Sequence, residues 1–189
     1  MKVTIHQPEH FPYLGFFQKM QTADLFVILD DVQFTKGNFQ NRNKFKNLNG
    51  VDEWFTIELQ QGSHKLNINE IEVSKNYKWK NLILAKLRTT FKTDFSFIYN
   101  YDRLIDINMA SINYCRDYLN ITTPMIYSSE LNIKTTGSQR LADICNQLNA
   151  TEYLSGAGGL KYLDESLFTC AVRYFKPNVP DYYTTLQHI

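Results

Sequence analysis

Charge of one sign is what this chain lacks most: its 20 lysines and arginines are offset by 19 aspartates and glutamates across 189 residues. So even a balance leaves no general field to draw in nucleic acid or an anionic membrane surface. Long apolar runs are missing too. No stretch approaches the roughly 18 consecutive apolar residues of a membrane span. Met1-Lys2-Val3-Thr4-Ile5-His6 has no apolar signal-peptide core, and the expected compartment is the cytoplasm. Cysteine is scarce and odd in number, with Cys115, Cys145 and Cys170 outside any CxxC spacing. Cys115 and Cys145 fall on apolar faces of expected helices, which suits buried structural thiols. The motifs HExxH, GxSxG, GxGxxG and GxxxxGK(S/T) do not occur. Their absence argues against a zinc site, an α/β-hydrolase, and dinucleotide or P-loop binding. No internal repeat or low-complexity tract is present.

What is there starts at the beginning. A short apolar run containing Val3 and Ile5 leads into His6-Gln7-Pro8, and a helical segment from Tyr13 to Ala23 follows. A second run, Leu25 to Leu29, ends on Asp30-Asp31-Val32-Gln33. Five apolar residues bounded by polar ones suit a strand buried on both faces of a parallel sheet. Ligands of open α/β sheets bind beyond the carboxyl ends of the strands, where strand order reverses. His6, Gln7, Asp30 and Asp31 would sit there. Pro8 and Pro12 stiffen the loop that carries His10. From Lys36 to Lys46 the charges are Lys36, Arg42, Lys44 and Lys46, with no acid among them, a pattern usually found on a solvated face.

Further along, Asn47-Leu48-Asn49-Gly50 is a turn signal and Glu53 to Leu59 is rich in strand formers, so a hairpin is expected. Leu66 to Ile68 and Ile71 to Val73 alternate and could extend it. Helical spacing of apolar residues then runs from Trp79 to Phe91 and from Tyr101 to Leu119. Strands are expected over Pro124–Tyr127, Thr151–Leu154 and Ala171–Phe175, with a helix between the first two capped by Ser138. The fold class is therefore α/β: a three-layer, Rossmann-like, mostly parallel sheet. The expected organisation is one domain over 1–189 (43% hydrophobic), with a hairpin excursion at 38–75 and a helical segment at 76–120.

Three features could carry chemistry. Ser155-Gly156-Ala157-Gly158-Gly159 lets backbone approach a ligand closely, or simply turns tightly. Of Asp30 and Asp31, one could bind a sugar hydroxyl, a substrate amine or Mg²⁺ while the other caps the turn or pairs with Arg42. His6 could act as a general base, because imidazole titrates near neutral pH.

Ile5-His6-Gln7-Pro8, Phe11 to Phe17, Leu29 to Phe34, Asn41-Arg42-Asn43 and Tyr153-Leu154-Ser155-Gly156 together resemble the WbqC-like proteins. His10 departs from the aromatic residue that this resemblance leads one to expect. The resemblance implies an enzyme of bacterial O-antigen or other surface-polysaccharide synthesis, one that adds an acyl or aminoacyl group to a nucleotide-linked sugar. In that role His6 is the base, and Asp30 or Asp31 orients the sugar. Gln7, Asn41 or the amides of Gly156, Gly158 and Gly159 donate to an oxyanion or phosphate, and Lys36 and Arg42 hold the diphosphate. His10, Gln33, Asn43 and Ser155 complete the binding set, with acyl-CoA or ATP and magnesium as candidate cofactors. Two alternatives stand beside it: adenylyl transfer, since strand, prolyl loop, helix and strand also resemble HIGH-type nucleotidyltransferases, and a non-catalytic sugar-nucleotide scaffold.

Overall fold

The computed structural model describes all residues, 1–189. Five parallel strands form the main sheet: β1 (Lys2–His6), β2 (Leu25–Ile28), β5 (Met125–Tyr127), β6 (Glu152–Gly156) and β7 (Ala171–Phe175). Their spatial order is β5-β2-β1-β6-β7. β3 (Arg42–Lys46) and β4 (Asp52–Thr56) pair separately as an antiparallel hairpin. The helices are α1 (Leu14–Thr22), α2 (Lys78–Phe91), α3 (Leu104–Tyr118) and α4 (Gly137–Gln147). The expected α/β class is what is found.

The chain divides into two compact units. The first comprises Met1–Gln7, Gly15–Asp30 and Ile121–Pro180; the second comprises Pro8–Leu14, Asp31–Asn120 and Asp181–Ile189. The first unit holds the parallel sheet. Successive strand residues face opposite ways, and the two faces find different helices. Val3, Ile5, Val27 and Tyr153 pack with Leu141, Ile144 and Cys145 of α4. His6 and Phe26, on the other face, meet Phe16 of α1. Helices on both faces explain why β2 reads as an unbroken apolar run. Thr4 is polar yet wholly buried because its hydroxyl donates to the Leu154 carbonyl at 2.7 Å. Ser138 differs from expectation. It lies inside α4, after the cap position Thr136, and its Oγ accepts from the Asp164 amide instead.

The second unit builds its core on aromatic rings. Trp79, Ile83 and Leu87 recur at helical spacing on α2 and are buried, each contributing about 1.5–3 kcal/mol relative to exposure. Leu82, off that stripe, is 63% exposed. The stretch Leu66–Val73 does not extend the hairpin as strand. It forms a short 3-10 turn (Ile68–Glu70) with isolated bridges Gln33↔Asn67 and Leu59↔Val73. The final residues lace onto this unit: Thr184 N donates to Lys44 O (3.0 Å), Thr185 N to Pro12 O (2.9 Å) and Tyr183 Oη to Asp52 (2.6 Å).

The prolyl loop carries one of the three left-handed non-glycine residues of this unit, beside Lys92 and Asn120. Phe11 has φ +45°, a left-handed conformation costing roughly 1–2 kcal/mol for a residue with a Cβ. Its amide donates to Ser111 Oγ at 2.9 Å, and Asn43 Nδ2 donates to the carbonyls of His10 and Phe11 at 3.2 and 2.8 Å. Those bonds, with burial of the Phe11 ring against Phe55 and Phe95, over-determine the conformation.

Candidate functional site

In the first unit the chain runs β1, β2, β5 outward on one side, then returns to place β6 and β7 on the other. The order reverses between β1 and β6, so a ligand crevice belongs beyond His6 and Gly156, the last residues of those two strands. Lys19, projecting from α1, is the neighbour these residues share. It is only 3% exposed, its Nζ donates to Ile5 O at 3.3 Å, and it lies 4.0 Å from where a Cβ on Gly156 would stand. A buried lysine beside a sheet's carboxyl edge is costly to desolvate. Here it places a cation where an anionic ligand would bind.

His6 Nδ1 lies 3.0 Å from the Gln7 carbonyl. A carbonyl only accepts, so Nδ1 carries the proton and Nε2 holds the lone pair, with no partner in the protein. Desolvation by burial, then the Lys19 charge, push the imidazole down to about 3, against an opposing effect of the Gln7 carbonyl. His6 is thus neutral at physiological pH and presents an acceptor.

Asp30 is engaged elsewhere. Its carboxylate is 3% exposed and accepts from Ser128 Oγ (3.1 Å), Ser129 N (3.0 Å) and Ser129 Oγ (2.7 Å). It anchors the turn that follows β5. Gly159 is tight for internal reasons: an added Cβ would stand 2.2 Å from Ser155 Oγ. Ser155 is buried at 1% exposure, and Gly158 is open to solvent.

The second unit holds Asp31, which is half-buried, and Gln33, whose Nε2 donates to His64 O at 3.0 Å. It also contains a cleft of about 400 Å³ lined in part by Lys36, Asn41 and Arg42. Arg42 Nη2 donates to Gly37 O at 2.8 Å and its guanidinium sits 4.4 Å over the Trp54 ring. Asn41 Nδ2 donates to Ile57 O at 2.9 Å. Two residues expected to bind substrate are instead sealed in the core. His10 is 0% exposed, bonded to Tyr99 Oη at 2.9 Å and ringed by Phe11 and Phe55, which is why an aromatic would also suit the position. Asn43 is 1% exposed; its Nδ2 holds the prolyl loop and its Oδ1 accepts from the Lys44 amide.

The WbqC-like protein family model matches residues 7–188 of the sequence. The chain belongs to that family. Among curated relatives is the Mycobacterium tuberculosis protein Rv1507c, uncharacterized, 30% identical over 180 residues that span 88% of this chain and 77% of the relative. No solved structure matches the chain.

For this WbqC-like chain, then, His6, Gln7, Ser155 and Gly156 are gathered in the first unit with Asp30, Gly158 and Gly159. Asp31, Gln33, Lys36, Asn41 and Arg42 lie in the second. Sequence reasoning missed Lys19, and its one signal was a lysine set between the apolar residues Phe17 and Met20 of a buried helix. It also missed Trp54 as the platform for Arg42. No helix is long and apolar enough to cross a membrane.

Proposed function

We propose that this WbqC-like protein is a transferase of bacterial surface-polysaccharide assembly that moves an acyl or aminoacyl group onto a nucleotide-linked sugar. The observation that carries the reading is the reversal of strand order between β1 and β6, with His6 and the buried Lys19 at its lip. His6 Nε2 accepts the hydrogen bond of the attacking sugar hydroxyl or amine. As the new bond to the acyl carbon forms, that proton passes to Nε2 and then to the departing group. Burial and the Lys19 charge keep the imidazole neutral, the form that accepts a proton. Lys19 offsets the developing oxyanion or a ligand phosphate, and amides of the Gly156–Gly159 turn can add donors.

The test begins with thermal denaturation of the purified chain against a panel of nucleotide-linked amino sugars, acyl-CoAs, and ATP with magnesium. Selective binding to the folded state raises the melting temperature by mass action. A rise with an amino-sugar nucleotide supplies the acceptor for a turnover assay, in which His6→Ala should abolish product at unchanged stability. Turnover retained in His6→Ala removes His6 from the mechanism. The same strand order is also suited to ATP, so adenylyl transfer is the second reading. A response to ATP with magnesium alone, followed by pyrophosphate release, would replace the first.

A further inference from the structure

The cleft of the second unit has the features of a binding site in its own right. Its volume of about 400 Å³ lies in the range of small-molecule sites. Leu59 and the edge of Phe34 give it an apolar wall, and Lys36 and Arg42 bring two cations to it. Neither cation is satisfied by the protein. Lys36 stands on the turn Thr35–Asn38, closed by Asn38 N to Thr35 O at 3.3 Å with Gly37 at φ +85°, and its Nζ meets no acceptor. Arg42 gives one bond to Gly37 O and is held in place from one side by Trp54; its Nη1 has no acceptor. The acid of the cleft is Glu58, and one of its oxygens already accepts from Ser74 Oγ at 2.9 Å.

A guanidinium fixed by stacking is already ordered, so little side-chain entropy is lost when it captures an anion. A carboxylate offers two oxygens, which a guanidinium alone can occupy. A second, unpaired ammonium suits a head with a third oxygen and a second charge. We propose that this cleft binds a small molecule with a terminal phosphate on an apolar or aromatic body, the phosphate held by Arg42 and Lys36 and the body lying against Leu59 and the edge of Phe34. Trp54 is the positioning residue for Arg42. None of this binding needs His6, so the variant that should abolish turnover should keep wild-type affinity here.

Calorimetric titration of the full chain with phenyl phosphate, inorganic phosphate and benzoate tests it. Phenyl phosphate should bind saturably, and benzoate and inorganic phosphate should each bind roughly tenfold more weakly, having lost a charge or the body. Lys36→Ala removes a side chain without partners, so it should fold as the wild type does and bind phenyl phosphate roughly tenfold more weakly. Arg42→Lys should bind more weakly still, because it loses the planar fork. Absence of saturable heat with phenyl phosphate in the millimolar range would overturn the site. So would wild-type affinity in a folded Lys36→Ala, or benzoate binding as tightly as phenyl phosphate.

Discussion

Replacing Gly159 by alanine should destabilise the protein, and Ser155→Ala should rescue it. The backbone at Gly159 is not in the left-handed region, so alanine's own conformational preference is no obstacle. The obstacle is space. The new Cβ would lie 2.2 Å from Ser155 Oγ and 3.4 Å from both Ser155 Cβ and Tyr174 Cε1. Ser155 is 1% exposed, so its hydroxyl cannot simply swing into solvent. Overpacking of this kind costs roughly 1–3 kcal/mol. The lower entropy of the unfolded alanine chain offsets roughly 0.4–1 kcal/mol of that. A net loss of about 1–2 kcal/mol corresponds to a melting temperature lower by roughly 2–8 °C for a chain of this size. Deleting Oγ in Ser155→Ala leaves only the 3.4 Å contacts, which the neighbours can accommodate. A double-mutant cycle measured by urea denaturation should therefore show a favourable coupling of about 1 kcal/mol or more. A Gly159→Ala protein as stable as wild type, or one that Ser155→Ala fails to rescue, would refute the packing account. In that case a ligand, and not the fold, would be the reason for glycine here.

Three other outcomes follow from the same geometry. The folded chain keeps His10 neutral down to about 3 by burial, whereas the unfolded chain carries a histidine near 6.5. The unfolded state therefore binds the extra proton between those limits, and stability is full above about pH 6.5 and falls as the pH drops, by roughly 2 kcal/mol from this residue at pH 5. Urea denaturation at pH 7 and pH 5 should show that loss shrinking in His10→Phe; an unchanged loss would mean His10 is not its source. Asn43→Ala removes three hydrogen bonds and frees the strained Phe11 segment, so it should cost about 2–4 kcal/mol by equilibrium denaturation; a cost under about 1 kcal/mol would mean the loop holds without it. Lys19→Met deletes the charge that helps depress His6, so the His6 imidazole resonance should titrate at higher pH by NMR. A titration that stays put would show that burial alone sets it.

Much of the sheet could be read from apolar runs because a strand covered on both faces leaves no other pattern. The run Leu25 to Leu29 stood out in this way, and strands expected over 124–127, 151–154 and 171–175 are found at 125–127, 152–156 and 171–175, the last of them with Ala171 and Arg173 exposed. Leu66–Val73 misled because alternation over three residues fits a 3-10 turn with isolated bridges as well as it fits a strand. At the site, His6 and Gly156 were legible from their places at strand ends. Asp30 was legible in position, whereas its partners Ser128 and Ser129, about a hundred residues away in sequence, are revealed only by the fold. His10 and Asn43 carry chemically versatile side chains, but burial, which local sequence does not encode, removes both from solvent. The Arg42–Trp54 pair depends on hairpin register: Arg42 faces Thr56, which puts Trp54 on the adjacent diagonal.

The central position of β1 also sets a timetable for biosynthesis. One of its neighbours, β2, follows within some twenty residues, but the other, β6, is joined to it by bonds between residues 150 apart in sequence. At ribosomal speeds of about 5–20 residues per second, the open side of β1 waits roughly 8–30 s for its partner. During that interval Val3 and Ile5, together with an unpaired row of backbone groups, can meet other nascent chains. Yield in the cell should therefore depend on chaperone capacity during translation more steeply than the finished molecule's resistance to unfolding would suggest.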